Sequence, residues 1–265
     1  MVAHQRYTEL LDREVYLETL QFNARTHYGI LPGLRSAIYL TSLSEDELSR
    51  LIYADISVAG CGQEADVPHT LKIATTPRRS SATKFAASKR LSFAQAKEIL
   101  SSALMRQPDR EGLARMPYPS GGALYSVQTF LCRTSIRITD WPDAASALHV
   151  LPLARALESL NVDATPATLL EILSGESQKS LGEPDFALVY AMFIDKALFK
   201  YRYRGYRLAL MEAGSMYQRV TQEVDARGFA TRMWAAFSDY HVAAVLGLDA
   251  THMLPLVVQF IGSRD

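Results

Sequence analysis

Cysteine is almost absent from this chain. Two occur in 265 residues, Cys61 and Cys132, and they form no CxxC pair. So few thiols exclude a disulfide framework, and each cysteine reads as a buried free thiol. Net charge is absent too, since Lys+Arg and Asp+Glu both number 28. A balanced chain has no bulk attraction for nucleic acid or an anionic membrane. No apolar run approaches the ~20 residues of a spanning helix. The opening MVAHQRYTELLDREV is too polar for a signal peptide. The expectation is a cytoplasmic protein with neither nucleic acid nor membrane as partner. The six histidines form no HExxH or HxH spacing, so no metal site is expected. GxGxxG, the P-loop and the GxSxG elbow are all missing, which leaves dinucleotide, nucleoside triphosphate and serine hydrolase chemistry without support.

What is present suits one large domain with an appendage. Apolar residues make up 48% and charged residues 21%, ordinary for a globular protein. Residues 1–65 read as a small helical appendage. TELLDREVYLETLQF (8–22) carries leucines at helical spacing, and SLSEDELSRLIYADI (42–56) opens on a Ser44–Glu47 capping pattern. Residues 66–265 read as an α+β domain with a mixed central sheet flanked by helices. A helix starts at Ser92, with Phe93, Ala96, Ile99 and Leu100 on its apolar face. VQTFLCRTSI reads as a strand, ALHVLPLARALESL (147–160) as a short strand and then a helix, and TPATLLEILSG (165–175) as a helix capped by Thr165. FALVYAMFID (186–195) is apolar enough for a buried central strand. GFATRMWAAFSDYHVAAVLGLD (228–249) gives an aromatic loop and a helix ending at Gly247, and LPLVVQFIG (254–262) a last strand.

Three segments remain that carry chemistry. ATTPRRSSATKFAASKR (74–90) sets arginines and serines before a helix start, which suits a phosphate or a solvated basic loop. PYPSGG before VQTFLCR lets backbone amides approach a flat or anionic ligand, and equally satisfies a plain turn into a strand. DKALFKYRYRGYRLALMEAGSMYQ (195–218) holds Lys196, Lys200, Arg202, Arg204 and Arg207 among four tyrosines. Its second half carries the stripe Tyr206, Leu210, Ala213, Tyr217, Val220, Val224, one face of a helix.

In order, these three segments resemble one family. RRSSATKF resembles the Arg-Arg-Ser entry motif of nitroreductase-fold flavoproteins. RMPYPSGGALYSVQTFLCR resembles their Pro-Ser-x-Gly turn as the SagB-type dehydrogenases use it, and KYRYRGYRLALMEAGSMYQ resembles the Lys-Tyr … Arg-Gly-Tyr-Arg … Glu-x-Gly segment of that subgroup. LPLARALE and FALVY extend the likeness toward the dehydrogenases of microcin-type azole synthetases, and the whole spans roughly residues 75–262. The resemblance implies a nitroreductase fold and a homodimer with FMN at the interface. It implies oxidation of thiazolines or oxazolines in a ribosomally made precursor peptide to thiazoles or oxazoles. An ATP-dependent cyclodehydratase and its leader-peptide-binding partner protein would be the other subunits. Lys200 and Tyr201 fall on the pair that serves proton transfer. Arg202 and Arg204 beside Lys200, with partial burial, favour the free amine that a base must offer. Arg78, Arg79 and Ser81 fall on the phosphate-binding positions, with Lys84 after them, in a register uncertain by one residue. Pro119, Ser120 and Gly121 would line the isoalloxazine, and Arg207 would add charge near the cofactor. The family's Gly-Phe-x-Asp stands here as Ala236-Phe237-Ser238-Asp239, with alanine in place of the family's glycine. In a regular strand Lys200 and Tyr201 point to opposite faces; both reach one ring only if the backbone turns or the helix begins before Gly205. Two other readings stay open: a general NAD(P)H:FMN oxidoreductase acting on small molecules, and a non-catalytic scaffold of a cyclodehydratase complex.

Overall fold

The computed structural model describes residues 7, 10–27, 42–51, 80–87, 89–108, 112, 114–142, 145–175 and 178–264. The chain divides into two compact units, residues 1–28 with 80–265 and residues 29–79. Helix α1 (Arg13–Thr26) belongs to the larger unit and helix α2 (Glu45–Leu51) to the smaller. The capping pattern before α2 is realised: Glu47 N–H donates to Ser44 Oγ at 3.3 Å, and Ser44 N–H donates to the Glu47 carboxylate at 2.8 Å. The larger unit continues with β1 (Phe85–Ala86), α3 (Phe93–Leu104), β2 (Gln107–Pro108), β3 (Ala114–Arg115), β4 (Val127–Arg133), β5 (Ala147–Leu151) and β6 (Ala156–Ser159). Then follow α4 (Pro166–Ser174), α5 (Gln178–Leu181), β7 (Phe186–Phe193), α6 (Ile194–Tyr201), α7 (Tyr203–Ala226), β8 (Ala230–Trp234), α8 (Asp239–Val245) and β9 (Met253–Arg264).

The apolar run 186–195 makes the centre. β7 lies between β9 and β4 in a sheet ordered β1-β9-β7-β4-β5-β6, with β8 also on β9. Every ladder is antiparallel. The sheet expected to be mixed is thus antiparallel, and among the described residues the one parallel pairing is an isolated bridge, Phe85–Gly182, outside the strand ladders. Because side chains alternate along a strand, β7 serves two cores. Phe186, Leu188, Tyr190 and Met192 pack under α3 and α7, while Ala187, Val189 and Ala191 pack under α4 and α8. The helices that cover these faces start where their sequences predict. Ser92 and Gln95 exchange hydrogen bonds at the head of α3, and Thr165 caps α4 with Pro166 in its first turn.

Four other sequence expectations change. Residues 147–160 form the β5–β6 hairpin, with Leu148 opposite Ser159 and Leu151 opposite Ala156. Arg155 takes a positive φ in the turn, and pairing along β5 overrides the helical propensity of ARALESL. The loop expected after Gly228 contains β8, paired with β9 from Ala230–Gly262 to Trp234–Val258. Lys200 and Tyr201 lie in a helix, because α6 begins at Ile194 straight out of β7. The buried face of α7 is Gly205, Ala209, Glu212, Ala213, Met216, Val220 and Val224, so the stripe is rotated and Leu210 is exposed.

Candidate functional site

The site starts at the turn that enters β4. Gly122 takes φ +61°, and the next two left-handed residues, Ala123 and Tyr125, keep the backbone coiled back on itself. Two non-glycine residues in that region within one turn are costly and mark a conformation held from outside. The holder is Glu212 of α7. Its carboxylate is 3% exposed and accepts from Ser120 Oγ at 2.5 Å, Val127 N–H at 2.9 Å and Ser126 N–H at 3.3 Å. Ser120 Oγ in turn accepts from Tyr125 N–H at 2.9 Å. A buried carboxylate is tolerable only with such partners, so the Glu-x-Gly of the sequence is a clamp on the Pro-Ser-Gly-Gly turn.

Burial raises the Glu212 pKa above 4.5, opposed by the hydrogen bonds from Ser120, Val127 and Ser126. The fold therefore holds this proton more tightly than the unfolded chain does. The resulting stability is full below pH 4.5 and is lost as pH rises through the raised folded value. Glu212→Gln sets an amide donor against N–H and O–H donors. It is expected to cost about 2–3 kcal/mol in urea unfolding at neutral pH. The gap to the wild type should widen as pH falls toward 4.5.

Against this turn stand Lys200 and Tyr201. A methyl group placed on Gly122 would lie 2.3 Å from Tyr201 Oη and 3.2 Å from Lys200 Nζ. Both side-chain tips thus meet at the α-carbon of one glycine, and Lys200 Nζ sits 5.1 Å from the Tyr201 ring centroid. The opposite-face problem disappears because the pair occupies the last turn of α6, where consecutive side chains are about 100° apart rather than opposed. The helix stops at Arg202, which takes φ +49°. Lys200 is exposed rather than partly buried. Arg202 turns the other way and pairs with Asp12 at 2.7 Å. Tyr203 donates to Glu18, and Tyr206 to Asn23 at 3.1 Å. Part of the cationic tyrosine segment therefore anchors the α1 region, while Lys200 and Tyr201 from α6 and Leu208 and Glu212 from α7 face the turn. Pro119 is exposed and Ser120 half-buried on the turn itself, and a methyl on Gly121 would meet Leu208 at 2.8 Å. Arg207 is exposed on α7.

The segment expected to bind phosphate is elsewhere. Arg78 and Arg79 lie outside the described residues. Ser80, Ser81 and Lys84 are exposed, and Arg264 at the end of β9 donates to Ser80 Oγ at 3.1 Å and to its carbonyl at 2.6 Å. Arg232 of β8 donates to the Thr83 carbonyl at 2.7 Å. Sequence reading missed Arg264, because nothing local marks it; the signal is its position as the last residue of β9, opposite Phe85 of β1. Among the described residues the two halves, the Ser80–Lys84 segment and the Gly122 turn, do not meet within one chain. β4 begins at Val127 beside Met192, which pairs with Leu254, whereas Arg264 pairs with Phe85. β9 covers roughly 30 Å between those points at about 3.3 Å per residue. In Ala236-Phe237-Ser238-Asp239, the Ala236 carbonyl accepts from Trp234 Nε1 at 3.1 Å, Phe237 is buried and Ser238 caps α8.

Among the described residues no group of three or more His, Cys, Asp or Glu could hold a metal, and no helix is long and apolar enough to cross a membrane.

Residues 76–262 match the sequence model of the Nitroreductase family. The chain is 37% identical over 260 residues to the Microcin B17-processing protein McbC of Escherichia coli, covering 96% of this chain and 93% of that one. It superposes with a TM-score of 0.84 and 35% identity on a chain of the E. coli microcin synthetase McbBCD complex with truncated pro-MccB17 bound, covering 98% of this chain and 97% of that chain. A nitroreductase structure from Ralstonia eutropha shares the fold at a TM-score of 0.56 and 16% identity, over 75% of this chain and 88% of that one.

Proposed function

The chain belongs to the nitroreductase family, and from that membership we propose that it is an FMN-dependent azoline dehydrogenase. Its substrate is a ribosomally made precursor peptide bearing thiazoline or oxazoline rings, and its products are thiazoles and oxazoles. One observation carries this reading: Lys200 Nζ and Tyr201 Oη converge over Gly122. Oxidising an azoline removes a hydride and a proton from adjacent ring carbons. A flavin reductase working on small molecules has no need of an amine and a phenol at one point; an azoline dehydrogenase needs a base there. Lys200 takes the ring-carbon proton at Nζ, and Tyr201 holds its hydroxyl beside that amine. The similarity to McbC supports assembly with a cyclodehydratase and its leader-binding partner.

The residues present fit FMN. Arg264, Ser80, Ser81 and Lys84 supply cationic and hydroxyl donors for a phosphate, and Arg78 and Arg79, which precede them in the sequence, lie outside the described residues. Gly122, lacking a side chain, lets the Tyr201 hydroxyl and the Lys200 ammonium come up against its backbone, and the exposed side of this turn is where a flat ring system would lie. Bound there, FMN supplies a two-electron acceptor that dioxygen regenerates. The ~30 Å between the two halves exceeds the reach of a ribityl phosphate. One flavin would therefore take its phosphate donors from one protomer and its Gly122 turn from a second copy. The exposed face of α7, with Leu210, Met211 and Gly214, offers an apolar surface for that dimer.

The test is mass spectrometry of a precursor peptide after treatment with the full complex. Loss of water and two hydrogens per ring is expected. Loss of water alone, with rapid reduction of the bound flavin by NAD(P)H, would replace this reading by a general reductase.

A further inference from the structure

Behind the Gly121–Gly122 turn lies a cavity of about 220 Å³ that the proposed proton transfer does not use. Tyr118 and Tyr125 bracket the turn and form the aromatic wall, edge to face at 5.9 Å and 89°. Val127 and Leu153 contribute to the aliphatic wall, and Lys196 is the charged residue of the lining. Its ammonium is half-buried, and burial lowers its pKa. Among the described residues it has neither a hydrogen bond nor an ion pair, only the longer-range field of Glu212. A partly desolvated donor without an acceptor calls for one from outside.

Charge decides what kind. An anion entering the cavity would feel the field of the Glu212 carboxylate, which lies outside the lining, as well as that of the ammonium, so Lys196 is already balanced at a distance. The missing partner is a neutral acceptor on an apolar, planar body. Spacing narrows it further. Lys196 and Lys200 are four residues apart on one face of α6, about 6 Å along the axis. An extended peptide covers about that distance in two residues.

We propose that this cavity is a second ring subsite, which takes a neutral five-membered heterocycle of the same peptide while Lys196 donates to its ring nitrogen. This rests on the azoline-peptide reading above and extends it. A finished azole two residues from an azoline reaches Lys196 when the azoline reaches Lys200. The enzyme thus favours peptides that already carry one ring at that spacing.

Calorimetric titration of the full, flavin-loaded chain tests the subsite without turnover. The probes are a 2,4-disubstituted thiazole diamide and the matching thiophene diamide, which has the same shape and no ring nitrogen. The wild type should bind the thiazole about tenfold more tightly, the worth of one hydrogen bond from a charged donor after desolvation. Lys196→Met, which fits an apolar wall, should bring the two affinities together, and Lys196→Gln should keep part of the preference. Leu153→Trp, at the exposed tip of the β5–β6 turn, should weaken both probes by filling the mouth. Equal binding by the wild type, or a preference that survives Lys196→Met, overturns the subsite. A protein that oxidises azolines yet binds both probes equally retains the function and loses the subsite. One with a Lys196-dependent preference that oxidises no azoline retains the subsite and loses the function.

Discussion

Lys200→Ala is expected to slow azole formation by about 10²–10⁴-fold, the usual contribution of a placed base, while the protein stays yellow. The two readouts separate because Lys200 touches the turn at Gly122 and is remote from Arg264 and Ser80. Flavin absorbance after gel filtration reports binding, and single-turnover loss of two hydrogens per ring reports chemistry. Folding should be unaffected, since Lys200 is exposed at the end of α6 and makes no core contact. Tyr201→Phe retains the ring and loses only the hydroxyl at Gly122, so its deficit should be smaller. A Lys200→Ala protein that removes two hydrogens per ring at the wild-type rate would remove the base assignment and leave the fold and cofactor readings intact. A colourless one would instead move Lys200 into cofactor binding.

Much of this architecture was legible in the sequence because local chemistry specified it. Ser92 with Gln95, Thr165 with Pro166 and Ser44 with Glu47 mark helix starts that the structure realises. The continuous run 186–195 gave the central strand, since only an element covered on both faces is apolar throughout. The same continuity hid the start of α6. Nothing between Phe193 and Ile194 breaks the pattern, so periodicity alone does not separate strand from helix there. The β5–β6 hairpin was hidden by the helix-forming residues of ARALESL, whose strand state comes from β5 beside it.

The site was legible to a different degree. The motifs named Lys200, Tyr201 and Ser120, and the structure adds why they belong together: Glu212 fixes the turn, and Gly122 leaves room at its apex. The division of 195–218 between two tasks could not be read linearly. Arg202, Tyr203 and Tyr206 look identical in kind to their neighbours, yet they are consumed by Asp12, Glu18 and Asn23 of the α1 region. Arg264 depends on a pairing between distant segments and leaves no local mark.

Gly205→Ala should lower stability about as much as Glu212→Gln, and its cause links the fold to the site. Gly205 is buried where α7 crosses α6. An added methyl would lie 1.9 Å from the Ala197 carbonyl oxygen and 2.6 Å from its carbon. These are backbone atoms within a helix, so no rotamer change relieves the contact. The two helices must separate instead. Overpacking of that kind costs about 3 kcal/mol, the upper part of its usual range, against less than about 1 kcal/mol regained from alanine's better helix propensity. The net loss corresponds to a midpoint drop on the order of 5–10 °C for a chain of this size. Activity should fall further than stability accounts for. Gly205 N–H donates to the Arg202 carbonyl at 2.8 Å, and Arg202 N–H to the Leu198 carbonyl at 2.7 Å, so the junction that ends α6 at Tyr201 moves with α7. A displacement near 1 Å at Lys200 and Tyr201 costs about 10²-fold in rate. The measurement is turnover well below the lowered midpoint, where the variant is folded and still binds flavin. A folded, yellow Gly205→Ala protein with normal turnover would mean that the α6–α7 crossing does not set the reach of Lys200 and Tyr201 to the turn.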